Sequence, residues 1–312
     1  MLEVFNLTLN NVSVLLAFIG VGYLLRRREL VPEQTGHVLS LLCTLFFAPA
    51  YSIRNISQNL TPEVASEKLL LLSYGIAIMV ATILVGRILG KILGRNEIDR
   101  KSLQYAMSFA NTGYFGYPVV EGVFGAAVLA DFIIFLVPTL IALNSYGYML
   151  FRKDKKFPLR RLLTSPVTLG PIIGAVIGLS GVQLPSVVNN ILAGAGNCMS
   201  PCSMLLVGFM LGKFPLKQLF TGIRPYYLSA IRLIALPVFF AGVLYLCGAR
   251  DLYLFLALVS VSLPIGLNVV VFAESCGYEK EAGENAKLCF ISVMMALVTL
   301  PCVFAVLAKL CM

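Results

Sequence analysis

Charge is scarce in this chain. Lys, Arg, Asp and Glu make up 12% of its 312 residues while hydrophobic residues make up 59%, a balance that excludes an ordinary soluble globular domain. Histidine is scarcer still. His37 stands alone, so no imidazole cluster can build a metal centre or a His-dependent catalytic site. Long polar segments are missing as well: the longest polar connection runs from Arg152 to Ser165, which leaves no room for a soluble domain between apolar runs. The eight cysteines read as neither disulfide framework nor metal site. Most sit inside apolar runs as small hydrophobes, and Cys198 and Cys202 have no His or further Cys beside them. No metal and no cofactor is expected.

What is present is apolar sequence, with a mean hydropathy of +0.89. A helix needs about 20 apolar residues to cross roughly 30 Å of hydrocarbon. Ten runs meet that need: 7–25, 37–55, 69–91, 102–124, 129–150, 165–184, 193–213, 226–247, 252–273 and 287–311. The expected fold is an all-α integral membrane protein with ten transmembrane helices, lodged in the lipid bilayer of the cell membrane. Arg26-Arg27-Arg28 follow the first run instead of preceding it, the reverse of a signal peptide, so this run is expected to be retained and to enter from outside. Alternating the later loops leaves only Arg54, Lys68, Arg250 and Lys309, of 24 basic residues, on the outer side. Both termini then face outward. The net charge of +9 follows from this topology, and no nucleic-acid partner is implied.

The ten runs divide around Arg152-Lys153-Asp154-Lys155-Lys156 into residues 1–151 and 165–312, joined by a cytoplasmic linker at 152–164. Five helices per half oblige the second half to enter from the opposite side, the inverted-repeat plan of secondary transporters. The halves share punctuation. The second run of each contains a proline (Pro49, Pro201), as does the fifth (Pro138, Pro301). The fourth run of the first half carries Asn111-Thr112-Gly113-Tyr114-Phe115-Gly116-Tyr117-Pro118; that of the second half carries Ser262-Leu263-Pro264-Ile265-Gly266-Leu267-Asn268. Proline lacks an N–H and clashes with the carbonyl four residues earlier, so breaks are expected at Pro118 and Pro264, freeing the carbonyls of Tyr114 and Ser260. Unpaired backbone in hydrocarbon costs several kcal/mol, and matched interruptions in two halves mark a binding site. Gly113, Gly116 and Gly266 permit close backbone approach. Asn111, two turns before Pro118, and Asn268, just after Pro264, are expected on the cytoplasmic side of the breaks, where their carboxamides could converge. Amide donors beside restarted helix N-termini suit an anion, a carboxylate above all.

Ionisable residues within the runs are few. Arg232, about one and a half turns into the eighth run, is a candidate for anion attraction or domain pairing. Glu121 and Asp131 read as solvated outer helix ends, with binding of a coupling proton or sodium ion as the alternative. No buried carboxylate pair is visible.

At these residues the chain resembles the auxin efflux carrier family, bacterial relatives of the plant auxin carriers. The motifs are Ala110 to Pro118, the segment SPCSMLLVGFMLG, and LPIGLNVVVFAESCGYEKEAGENAKLCFISVMMALVTLP. The resemblance implies a five-plus-five fold like that of the bile-acid sodium symporters. Helices 1, 2, 6 and 7 would form a scaffold, and helices 3 to 5 and 8 to 10 a moving transport domain whose fourth and ninth helices cross at Pro118 and Pro264. It further implies a substrate carboxylate near Asn111 and Asn268, a possible homodimer, and malate- or malonate-like dicarboxylates as substrates of bacterial members. The long central cytoplasmic loop of the plant members is lacking. The expected function is secondary or facilitative transport of a small organic anion by alternating access. A cation- or proton-coupled carrier of the same architecture is one alternative. A membrane-embedded lipid-processing enzyme is another, disfavoured by sparse acids and the single histidine.

Overall fold

A computed structural model describes residues 1–152 and 164–311. Its helices are α1 (Leu2–Arg27), α2 (Thr35–Asn59), α3 (Ala65–Leu93), α4 (Glu97–Ser108), α5 (Thr112–Gly147), α6 (Pro166–Ser180), α7 (Ser186–Leu211), α8 (Arg224–Leu246), α9 (Asp251–Ser262), α10 (Asn268–Ser275) and α11 (Glu279–Cys311). Among the described residues seven helical segments are long and apolar enough to cross a membrane: α1, α2, α3 with its leading turn, α5, α7, α8 and α11. Helices α6 and α9 are apolar but shorter. The only β-type pairing among these residues is an isolated antiparallel bridge between Ala110 and Ile265.

The helices depart from the ten expected runs where the backbone is interrupted. The fourth run is divided, with α4 ending at Ser108 and Phe109 extended at φ −118°, ψ 120°. The ninth run is divided in the same way, because Leu263 after α9 is extended at φ −72°, ψ 152°. Runs four and five join into α5, bent at Gly125, whose φ of 84° lies in the left-handed region that glycine alone adopts without strain.

Proline acts here less by breaking helices than by widening them. Pro49, Pro118 and Pro237 each stand two residues beyond a π-helical segment: Cys43–Phe47, Thr112–Gly116 and Ile231–Ala235. A π turn inserts one residue into the helix, which spares the proline ring its clash with the preceding turn.

Helix α1 packs along α7, and α2 along α6 and α7; α3 packs on α4 and α5, and α11 on α8, α9 and α10. Helix α1 also packs on α11 and α5, and α2 on α5. Glycines set the closest approaches. A Cβ at Gly22 of α1 would overlap the Leu205 carbonyl oxygen, and one at Gly208 of α7 the Ile19 carbonyl oxygen. Aromatic side chains such as Phe109, Phe132, Phe255 and Phe304 fill the interior, while Leu84, Ile88, Val176, Val238 and Phe239 stay exposed on the outer faces, the distribution a lipid solvent requires. Cys43, Cys198, Cys202, Cys247, Cys276, Cys289 and Cys302 are free thiols.

Candidate functional site

The two interruptions meet. The Asn111 N–H donates to the Pro264 carbonyl at 2.8 Å, beside the Ala110–Ile265 bridge, so the backbone that leaves α4 crosses the backbone that leaves α9. Gly266 lets the strands close: a Cβ there would lie 3.2 Å from the Ala110 carbonyl oxygen. A Cβ at Gly116 would run into Leu263. Side chains from neighbouring helices satisfy the exposed backbone. Ser292 Oγ accepts from the Ile265 N–H at 3.1 Å, and the Cys289 thiol donates weakly to the Gly266 carbonyl at 3.7 Å. The Ser203 hydroxyl, which donates to the Ser200 carbonyl of its own helix at 2.9 Å, also lies 3.3 Å from the Tyr114 carbonyl, the carbonyl that Pro118 deprives of its helical donor.

The position of the first break differs from the sequence expectation. It lies at 109–111, and Pro118 occupies the second position of the α-helical stretch that follows the π turn. The crossing on that side is therefore made by Ala110 and Asn111, with Pro118 two turns removed. The cause is the diverted Asn111 amide together with the π turn, which together relieve the constraint that Pro118 would otherwise impose. Pro264 does stand at the crossing. Asn268 opens α10, so its side chain sits at the amino end of a restarted helix.

A cavity of about 360 Å³ adjoins the crossing. Asn111, Thr112 and Gly113 line it from one interruption, Gly266 and Asn268 from the other. Ser40, Thr44 and Ser52 of α2 and Asn144 of α5 add polar groups, and Met199, Leu206, Met210, Val271 and Phe272 an apolar flank. Among the described residues the lining contains no charged side chain. Asn111 is 6% exposed and Asn268 is half-buried. The lining continues to Thr164 and Ser165, toward the face on which α2 begins. On the opposite side, Tyr51 stacks on Tyr117 with ring centroids 6.0 Å apart and donates its hydroxyl hydrogen bond to Glu121.

Pro264 and Gly116 stand at or beside the crossing, and Pro118 two turns beyond it, none of them lining the cavity; neither Glu121, Asp131 nor Arg232 lines it. The reading of Glu121 and Asp131 as solvated ends is corrected. Glu121 is held by Tyr51, and Asp131, 9% exposed, is ion-paired with Lys68 of α3. Arg232 is buried and donates from Nη1 to the Met107 carbonyl at 2.9 Å. Sequence reasoning passed over Tyr51, Ser203, Ser292 and the polar face of α2. The last was detectable, because Ser40, Thr44, Ala48 and Ser52 recur every four residues along one helix face.

A bundle with an apolar exterior, and a cavity of mixed polar and apolar lining beside crossed chain interruptions, fits a membrane transport protein. Comparison with known proteins gives the family: the chain belongs to the membrane transport protein family, whose profile matches residues 8–156 and 150–304. Two archaeal relatives, each described as an uncharacterized transporter, are similar. One, from Methanothermobacter thermautotrophicus, is 24% identical over 202 residues, which cover 64% of this chain and 65% of that protein. The other, from Methanocaldococcus jannaschii, is 25% identical over 302 residues, covering 93% of this chain and 95% of that protein. By family and relatives the chain is a transporter and not an enzyme.

Proposed function

We propose that this protein is a secondary or facilitative carrier of a small organic anion, auxin-like monocarboxylate or malate-like dicarboxylate, working by alternating access in the cell membrane. The proposed architecture is ten spans in a five-plus-five inverted repeat within the auxin efflux carrier group, with both termini outside. The packing of α1 on α7, and of α2 on α6 and α7, supports a scaffold built of these four helices, with the remaining helices as the transport body. The observation that carries the reading is that two carboxamide-bearing interruptions, one from each half, cross and line a common cavity.

Asn111 and Asn268 offer four N–H donors between them, and α5 and α10 begin at the crossing with their positive ends. A carboxylate is the anion that such donors hold, and the apolar flank accommodates the rest of the molecule. With the basic loops on the cytoplasmic side, the cavity runs inward and the Tyr51–Tyr117–Glu121 cluster closes the outer side, an inward-facing state.

A thermal-shift screen of the purified protein against mono- and dicarboxylates, with and without sodium, tests this reading. A ligand of the folded state raises apparent stability by mass action. Asn111→Ala and Asn268→Ala are each expected to weaken binding by about ten- to a hundredfold, since a hydrogen bond to a charged group contributes roughly 1.5–3 kcal/mol. Unchanged affinity in both variants would remove them from the site.

A further inference from the structure

Arg232 is the largest of the fully buried side chains, 1% exposed in the π segment Ile231–Ala235 of α8. Among the described residues no acidic side chain pairs with it. Its Nε has no hydrogen-bond partner, and Nη1 donates to the Met107 carbonyl at 2.9 Å. Met107 lies four residues before Asn111. In an unbroken helix the Asn111 N–H would fill that carbonyl, but here it goes to Pro264. The guanidinium thus takes the place of the amide hydrogen that the crossing removes. Its charge also lies at the carboxyl end of α4, where unpaired carbonyls concentrate partial negative charge. Without it, an anion at the crossing would meet the negative pole of α4 beside the positive pole of α5.

We propose that Arg232 is the positioning residue of the crossing. It replaces the Asn111 amide on the Met107 carbonyl, fixes the Asn111 peptide so that its carboxamide faces the cavity, and cancels the negative helix end so that acids bind in preference to their neutral analogues. Arg232 acts through Asn111 and the field, since it does not itself line the cavity. Only the preference for acids rests on the anion reading above; the positioning role holds for any ligand.

The test uses the purified full chain with Arg232→Gln, whose side chain ends two bonds short of the Nη1 position and carries no charge, and Arg232→Lys, which keeps the charge and a donor on a longer stem. Hydrogen exchange without added ligand reads the first role. Backbone amides at 109–112 are expected to exchange about tenfold faster or more in the Gln variant, with α1 and α7 unchanged and the Lys variant close to wild type. Thermal shift with phenylacetate against phenylacetamide, and malonate against malonamide, reads the second. The Gln variant is expected to weaken the acids about tenfold while any binding of the amides is unchanged, and Lys to restore the discrimination. Unaltered exchange at 109–112 in folded Arg232→Gln, or equal weakening of acid and amide, overturns the proposal. If no acid binds wild type, the anion reading and the preference for acids fall together, while the exchange measurement still decides the positioning role. Should the Gln variant fail to fold, the Lys variant decides: retained discrimination and exchange support the proposal, and loss of either in folded protein overturns it.

Discussion

At the scale of single residues, no charged side chain among the described residues lines the cavity, and several pair with one another elsewhere. Asp99, which precedes the fourth apolar run, accepts two hydrogen bonds from Arg224 of α8, at 2.9 and 2.6 Å, and one from the Arg95 amide at 2.7 Å. Burial works against its ionisation, but the Arg224 guanidinium and the Arg95 amide outweigh it and hold the carboxyl below the usual carboxylate range. A carboxylate so depressed gives stability that is complete above its unfolded-state pKa and is lost as pH falls through the folded one. Thermal unfolding across pH should therefore show wild type losing stability faster than Asp99→Asn once pH drops below the ordinary carboxylate range, and the two differing by a constant offset near neutrality. A constant offset throughout would show that the pairing does not govern acid stability. Asn111 and Asn268 were legible as residues because few carboxamides sit in apolar runs beside proline and glycine. That Asn111 lies at the break itself was not, since proline is the louder local signal and the diverted amide depends on a partner 153 positions away in the chain.

At the scale of elements, glycine decides how closely helices approach. In α7, Gly208 faces the α1 backbone so closely that a Cβ would overlap the Ile19 carbonyl, while Gly194 has no neighbouring atom within 4 Å of a built Cβ. Gly208→Ala is expected to cost about 1–3 kcal/mol through overpacking. Gly194→Ala is expected to be neutral or to stabilise by up to about 1 kcal/mol through helix propensity. Thermal melts of the two variants in one detergent check the contrast, and equal effects would refute the close α1–α7 approach. Long apolar elements were readable from hydropathy alone, because bilayer thickness imposes one length on all of them. The bend at Gly125 and the π turns were not, since a single glycine or an inserted residue leaves the apolar pattern intact.

At the scale of the whole molecule, native thiols report the proposed orientation. Cys247 is exposed just after α8, and Cys276 is half-buried just after α10. With the basic loops inside, a membrane-impermeant maleimide applied to intact cells is expected to label Cys247 and to spare Cys276 until the cells are opened. The opposite pattern would invert the topology and with it the inward direction assigned to the cavity. The π turn at Thr112–Gly116 has a further consequence. Its extra residue sets the angular phase of the rest of α5, and at 3.6 residues per turn each residue is worth about 100°. Deleting one residue there would swing Tyr117 and Glu121 away from Tyr51 of α2 while leaving the crossing before it intact. Length variation among relatives should accordingly fall in the loops and spare 112–118, where the spacing between two polar clusters is fixed by count.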